Sequence, residues 1–177
     1  YLIKQTLFWW LSSLIAKIGP MRLTIETWTD NSILRAVSSP IKATDLHKYR
    51  VLGESMLTYI KNPKNNGIGL AAPQVGTNKR MVVVWLPKNQ DDEEYPILLM
   101  INPTIVGKSP DTEVGEEGCL SLPNLRGNVS RSLWVEAEWL DIKGKKMKKM
   151  ITGFGAKVIQ HEIDHLDGVL ISDKFLK

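Results

Sequence analysis

The sequence is poor in two residue types that often carry chemistry: it has one cysteine and three histidines in 177 residues. A lone cysteine cannot form an internal disulfide, so nothing in the sequence points to an oxidising compartment. No internal repeat is present either, which argues against a repeat array. With 43% hydrophobic residues, the chain is expected to form one globular domain whose core is large enough to fold without stabilising cross-links.

Two of the three histidines lie close together. His161 and His165 are four residues apart in "VIQHEIDHLDG", with Glu162 between them. Residues four apart share one face of a helix, and the apolar spacing and Gly168 predict a buried helix over about 154–166. On such a helix two imidazoles can hold one metal ion while Glu162 acts as general base. The alternative is a pair of ordinary core or surface histidines, because H-E-x-x-H also occurs by chance.

A catalytic site of the zinc type usually has three protein ligands, so two histidines are not enough. The metzincin pattern requires a histidine six residues after the second one, where this chain has Ile171, and that class is excluded. A thermolysin-like site takes a glutamate, expected well downstream, whereas the residues after His165 offer only the side-chain carboxylates of Asp167 and Asp173. The third ligand is therefore expected upstream.

Cys119 is a candidate for that ligand. It lies in "EEGCLSLP", flanked by acids, glycine and an extended Ser-Leu-Pro run. A thiolate would complete a Cys/His/His site, and soft sulfur suits iron or zinc better than magnesium or calcium. The alternative is a small buried hydrophobic residue, which is the commoner role of a free cysteine.

Three segments together resemble the motifs of the peptide deformylases. They are "GIGLAAPQ" (67–74), "EGCLSLP" (117–123) and "QHEIDH" (160–165), in the order and approximate spacing of that family. The similarity runs from about Met21 to Lys177. It implies a hydrolase of linear amides that serves protein biosynthesis: it would remove the formyl group from the N-terminal formyl-methionine of nascent polypeptides and release formate.

The resemblance also implies roles for individual residues. The metal ligands would be the three candidates already named: Cys119, His161 and His165. Glu162 would be the general base, and the Gln74 side chain and the Leu120 backbone N–H would donate hydrogen bonds to the oxyanion. The metal would be ferrous iron, with zinc, nickel or cobalt able to substitute.

The first motif begins with a G-x-G pattern, but the third glycine of a dinucleotide loop and the lysine of a P-loop are both absent, so nucleotide binding is not expected. Its glycines are better suited to the close approach of an extended peptide. By the resemblance, Ile68 and Gly69 border the substrate, and Ile68, Phe154 and Val158 line the pocket for the methionine side chain. Lys157 stands in that wall where an apolar residue would be expected.

Much of the net charge of +4 comes from "KGKKMKKM" (143–150). A turn at 141–144 after an alternating strand makes a solvated hairpin the simplest interpretation. Because deformylases act on chains leaving the ribosome, the segment could also contact ribosomal RNA transiently through its phosphates. The partners are otherwise expected to be formyl-methionyl nascent peptides, without specific nucleic-acid binding. The compartment implied is a bacterial cytoplasm or an organelle of bacterial origin.

The apolar pattern predicts an α+β fold with short, mostly antiparallel strands around a central buried helix that carries H-E-x-x-H. A second helix is expected at about 44–61, behind a Thr-Asp start. The predicted strands are 81–86, 97–102, 104–107, 118–122, 129–140 and 146–151. Residues 21–177 are expected to form one catalytic domain.

Residues 1–20 form an amphipathic extension whose role is open. Lys4 and Lys17 interrupt its apolar face, so it is too short and too polar to span a bilayer, and no small-residue cleavage site is evident. Three interpretations compete: an interfacial membrane helix, an arm packed on the domain or on a second copy, and sequence upstream of a true start. We favour the third slightly, because Met21 resembles an ordinary deformylase start.

Two other functions compete with deformylation. A metallopeptidase shares H-E-x-x-H but cleaves internal peptide bonds, and both the Cys119 ligand and the missing downstream ligand disfavour it. An inactive relative would bind peptide N-termini without turnover, which requires neither Glu162 nor Gln74.

Overall fold

The computed structural model describes residues 21–86 and 96–177. The amphipathic extension at 1–20 lies outside these ranges, so the three interpretations of it stay open. Within the described ranges, no helix is long and apolar enough to cross a membrane. Helices and sheets are mixed along the chain, and every pairing between the named strands is antiparallel.

The described α-helices are α1 (Ser32–Arg35), α2 (Leu46–Lys61) and α3 (Gly153–Leu166). The second and third agree with the predicted helices to within two residues. α2 begins slightly late because residues 43–45 form a 3-10 turn ahead of it. Its buried face repeats every four residues, at Leu52, Met56 and Ile60, which is the spacing of one helix face.

The described strands are β1 (Gly69–Ala71), β2 (Met81–Trp85), β3 (Ile97–Lys108), β4 (Thr112–Cys119), β5 (Leu122–Ser132), β6 (Trp134–Leu140) and β7 (Lys146–Thr152). Five of them form a sheet in the order β1-β2-β3-β6-β7, and β4 and β5 form a separate hairpin. The strand β1 and most of β4 had no clear signal in the sequence pattern.

Two of the predicted strands are wrong in their limits at the β4–β5 hairpin. The range 118–122 contains a turn, because Cys119 and Leu122 pair with each other across two residues. The predicted strand 129–140 is interrupted at Leu133. The residues before Leu133 pair with β4, whereas those after it pair with β3 and β7. The choice of partner strand, which no local pattern encodes, sets both boundaries.

The two strands predicted at 97–102 and 104–107 are one strand, β3, with an irregularity in its middle. The register shifts between Ile101 and Thr104, where Asn102 has a left-handed φ of 52°. Asparagine tolerates this conformation better than most residues. Its side chain also exchanges two hydrogen bonds, each of 2.8 Å, with the backbone of Ile41, which holds the kink in place.

The five-stranded sheet carries a helix on each face. Because successive strand residues point to opposite faces, Val82 and Val84 of β2 pack in the cluster that includes α3, and Met81 and Val83 pack in the cluster that includes α2. α3 also contacts β5 of the hairpin. The side of α3 next to the hairpin is where the candidate site lies.

Candidate metal centre

Three side chains that can bind a metal converge between α3 and the end of β4. The ligand atoms of Cys119, His161 and His165 all lie within 4.8 Å of one another. The histidines are one turn apart on α3, and Cys119 is the last residue of β4. Cys119 Sγ is 3.2 Å from His165 Nε2. One thiolate and two imidazoles at this separation fit a divalent transition metal such as zinc or iron.

His161 is oriented by a buried ionic network. Its Nδ1 is 2.9 Å from Glu117 Oε2, which leaves Nε2 free to face the other ligands. Arg131 donates to both oxygens of Glu117, from Nε at 2.8 Å and from Nη2 at 2.9 Å, and it also donates to Asp164. A carboxylate on the second nitrogen of a ligating histidine fixes the ring and strengthens it as a ligand.

The charges in this network are set by burial and by hydrogen bonds together. Burial opposes ionisation of Glu117, but the hydrogen bonds from Arg131 and His161 outweigh it and lower its pKa to about 2. Burial likewise opposes protonation of His161, yet the neighbouring Cys119 and Glu117 raise its pKa to about 10. Burial dominates at His165, whose pKa is well below its usual range. A proton at His161 therefore competes with a metal ion for this position.

Glu162 lies beside the cluster and is 4% exposed. Burial raises its pKa to about 7. Its Oε2 has no hydrogen-bond partner among the described residues, and the same is true of His165 Nδ1. A Cβ built at Gly69 would lie 2.2 Å from Glu162 Oε1, so only glycine allows β1 to approach this carboxylate so closely.

The Gln74 side chain is fixed beside Cys119. Its Oε1 accepts a hydrogen bond of 2.8 Å from the Ala71 backbone N–H. Its Nε2 donates to Ser121 Oγ at 3.1 Å and contacts Cys119 Sγ at 3.6 Å. Since the side chain is 2% exposed and held at both ends, its amide donor points in one direction. Leu120 follows Cys119 at the first position of the turn between β4 and β5.

A cleft of about 450 Å³ connects these groups. Nine of the ten residues predicted for the site line it, namely Ile68, Gly69, Gln74, Cys119, Leu120, Phe154, Val158, His161 and Glu162. The tenth, His165, is 1% exposed, and its ligand atom lies within 4.8 Å of those of His161 and Cys119. The fold thus brings together residues in and beside β1, at the end of β4 and in the turn after it, and on α3.

The residues that orient His161 have little signal in the sequence. Glu117 was visible only as one of two adjacent acids, and its position two residues before Cys119 places it on the same face of the strand. Nothing in the sequence around Arg131 or Asp164 marks them as partners of Glu117. Their contacts join residues 14 or more positions apart, and such pairings depend on the fold.

The donor set and the buried carboxylate are typical of a metal-dependent hydrolase, and comparison with known proteins gives the family. The polypeptide deformylase family model matches residues 23–177. Peptide deformylase 2 of Gloeobacter violaceus is 42% identical over 158 residues, covering 89% of this chain and 81% of the relative. Peptide deformylase of Synechocystis sp. is 42% identical over 144 residues, covering 81% and 74%.

Solved structures agree with the sequence comparisons. A class I type b peptide deformylase from Acinetobacter baumannii, solved with Met-Ala-Ser bound, superposes with a TM-score of 0.80 at 33% identity and covers 88% of this chain and 99% of that one. Peptide deformylase from Thermotoga maritima gives a TM-score of 0.72 at 34% identity, covering 89% and 99%.

The chain belongs to the polypeptide deformylase family. The activity predicted from the three motifs is confirmed: the protein is a hydrolase that removes the N-formyl group from nascent polypeptides. Members of the family depend on a metal ion, and the described residues include a candidate site for one.

Proposed function

We propose that deformylation takes place in the cleft between β1, the β4–β5 turn and α3, and that the ten residues predicted from the sequence carry it out. The observation that supports this most is one convergence: three ligand atoms within 4.8 Å, with a buried carboxylate and a fixed amide donor beside them. In the same proposal, residues 21–177 form a single catalytic domain, and α3 is its central helix because it contacts strands of both sheets.

Cys119, His161 and His165 would hold the metal, which we propose to be ferrous iron, with zinc, nickel or cobalt able to replace it. The soft thiolate supports a metal of this group over magnesium or calcium. When bound, the ion would act as a Lewis acid and make water a better nucleophile at neutral pH.

Glu162 would take a proton from the attacking water and deliver it to the leaving amine. A general base works best when its pKa is near the working pH, and burial has already raised the pKa of Glu162 to about 7. A cation held beside it would favour the charged carboxylate. Because the ionised form is the active base, activity should rise with pH to a midpoint at or below about 7.

Gln74 and Leu120 would stabilise the negative oxygen that develops on the formyl group. The Gln74 amide cannot turn away, because Oε1 is bound to the Ala71 backbone and Nε2 to Ser121. A fixed donor costs no reorganisation at the moment of reaction, and losing one such donor costs roughly 3 to 4 kcal/mol of transition-state stabilisation.

The peptide would lie along β1, where Gly69 has no side chain to block it, with Ile68, Phe154 and Val158 as the apolar walls of the methionine pocket.

The protein would meet its substrate on chains leaving the ribosome, in a bacterial cytoplasm or an organelle of bacterial origin. A transient contact of the lysines at 143–149 with ribosomal RNA belongs to this proposal. If replacing Lys145, Lys146, Lys148 and Lys149 by serine leaves co-sedimentation with ribosomes at low salt unchanged, that contact is rejected.

The test of the proposal is formate release from formyl-Met-Ala-Ser by protein purified without oxygen, with metal content measured on the same samples. We expect wild-type protein to release formate and Glu162→Ala to lose nearly all activity while retaining one metal ion. Casein serves as a control substrate, and it should stay intact. Loss of the metal in Glu162→Ala would show that Glu162 is needed to retain the metal, and an active Glu162→Ala protein would reject its assignment as base.

A further inference from the structure

Lys157 is a charged residue in the cleft that the proposed reaction does not use. It lies on α3 one turn before His161, and it lines the same cleft. Its Nζ is 2.9 Å from Glu113 Oε2, and its side chain is only 21% exposed. An ammonium group is thus held, largely covered, one helical turn from a proposed metal ligand.

Gly115 leaves an open space beside this ammonium group. Glu113, Gly115 and Glu117 alternate along β4 and therefore lie on one face of the strand, where Glu113 pairs with Lys157 and Glu117 with His161. A Cβ built at Gly115 would lie 3.3 Å from Lys157 Nζ. The strand therefore has a gap between its two ionic contacts with α3, and the lysine amine borders that gap.

This position matters for the side chain of the substrate's first residue. With the formyl group beside His161, that side chain would extend between Phe154 and Val158, which line the same cleft as Lys157. One helical turn is about 5.4 Å long, and the unbranched methionine side chain has three rotatable bonds with which to cover it. Its tip would then come near the amine of Lys157, which would make this end of the pocket polar.

We propose that Lys157 determines specificity at the end of the pocket, and that it extends the substrate class to N-terminal formyl-methionine sulfoxide. The proposal rests on the proposed function. An ammonium group has three N–H donors. Glu113 accepts one, and the others can serve a ligand. A thioether sulfur is a weak acceptor, whereas oxidised methionine carries a polar oxygen that an apolar pocket end would leave unpaired at a cost in binding.

The chemistry of the reaction is unchanged by this specificity. Water cleaves the C–N bond of the formamide, formate leaves, and the amine takes the proton. The sulfoxide stays oxidised throughout, so no reductant is required. A chain whose first methionine has been oxidised would still be deformylated.

The test compares kcat/KM for formyl-Met-Ala-Ser and for the same peptide carrying methionine sulfoxide, using metal-loaded protein. In Lys157→Met, the sulfoxide-to-thioether ratio should fall by about tenfold or more, because a hydrogen bond to a charged group is lost. Lys157→Arg should keep most of the ratio, since the donor is retained. Glu113→Gln should keep it or raise it, because the amine remains and its competing carboxylate is gone.

A control variant removes another ion-paired lysine, which lies away from the cleft. Lys48 forms an ion pair of 2.7 Å with Asp45 near the start of α2, and Lys48→Met should leave the ratio unchanged. Binding of Met-Ala-Ser and of its sulfoxide form, measured by calorimetry, gives the same comparison without turnover. If Lys157 only ties α3 to β4, its loss would lower kcat/KM equally for both substrates.

The outcomes separate the two proposals. Formate release by every variant, with the same ratio in wild-type and Lys157→Met, overturns the role of Lys157 and leaves deformylation intact. A calorimetric preference for the sulfoxide product that persists in Lys157→Met overturns it as well. Failure of wild-type protein to release formate from either peptide would instead count against the proposed function.

Discussion

The ionic contacts beneath His161 and those on the β6–β7 surface use similar residues in different surroundings. Arg131 and Glu117 have side chains that are 2% and 12% exposed. On the β6–β7 surface, Lys148 pairs with Glu136 at 3.1 Å and with Glu138 at 3.2 Å, but its own side chain is 53% exposed. The ion-pair distances in the two regions are similar, but the pairs on the β6–β7 surface are far more exposed to water.

This difference decides what each contact can do. Water screens an exposed pair, and its two long side chains lose rotamer freedom when they are held together, so such pairs contribute little. A buried charge that loses its partner has no water to replace it. The network of Glu117, Arg131 and Asp164 can therefore hold His161 in one orientation, whereas the exposed pairs of Lys148 contribute little to stability.

The largest expected effect comes from breaking the buried network. Arg131→Met should lower the free energy of unfolding by about 3 to 5 kcal/mol, because Glu117 is left buried without its main partner. Urea unfolding of wild-type and variant protein in the same metal state measures this. A loss below about 1 kcal/mol would mean that the network behaves like a surface pair.

A smaller effect is expected from changing the contact to the histidine itself. Glu117→Gln should weaken metal binding by about 10- to 100-fold, since the carboxylate that orients His161 and strengthens it as a ligand is lost. Titration against a competing chelator measures this affinity. The adjacent Glu116 pairs with Arg126 on the surface, where both side chains are at least 60% exposed, so Glu116→Gln is the control and should bind metal as wild type does.

The smallest effect is expected on the exposed surface. Lys148→Met should produce no measurable change in unfolding or in metal affinity, because the pairs it removes are open to water. Thermal unfolding at low and high salt tests this. If the variant were destabilised as strongly as Arg131→Met, burial would not be what separates the two regions.

Much of the fold was predictable where the signal is local. α2 and α3 were predicted to within two residues, since a helix face repeats over neighbouring positions and can be read from one segment. The boundaries at Cys119, Asn102 and Leu133 were not predictable in the same way. Cys119 lies at a hairpin turn, the kink at Asn102 is held by the distant Ile41, and the break at Leu133 marks a change of partner strand.

In the candidate site, too, some features are encoded locally and others depend on distant contacts. The residue types, their spacing on α3 and the family can be read from the sequence, because three short motifs carry them. Two contacts instead depend on how the chain folds: Cys119 lies 3.2 Å from His165 across 46 positions, and Arg131 pairs with Glu117. The fold also places Lys157 in the cleft beside His161. Contacts across such separations come from the packing of α3 against the β4–β5 hairpin, and no local periodicity encodes that packing.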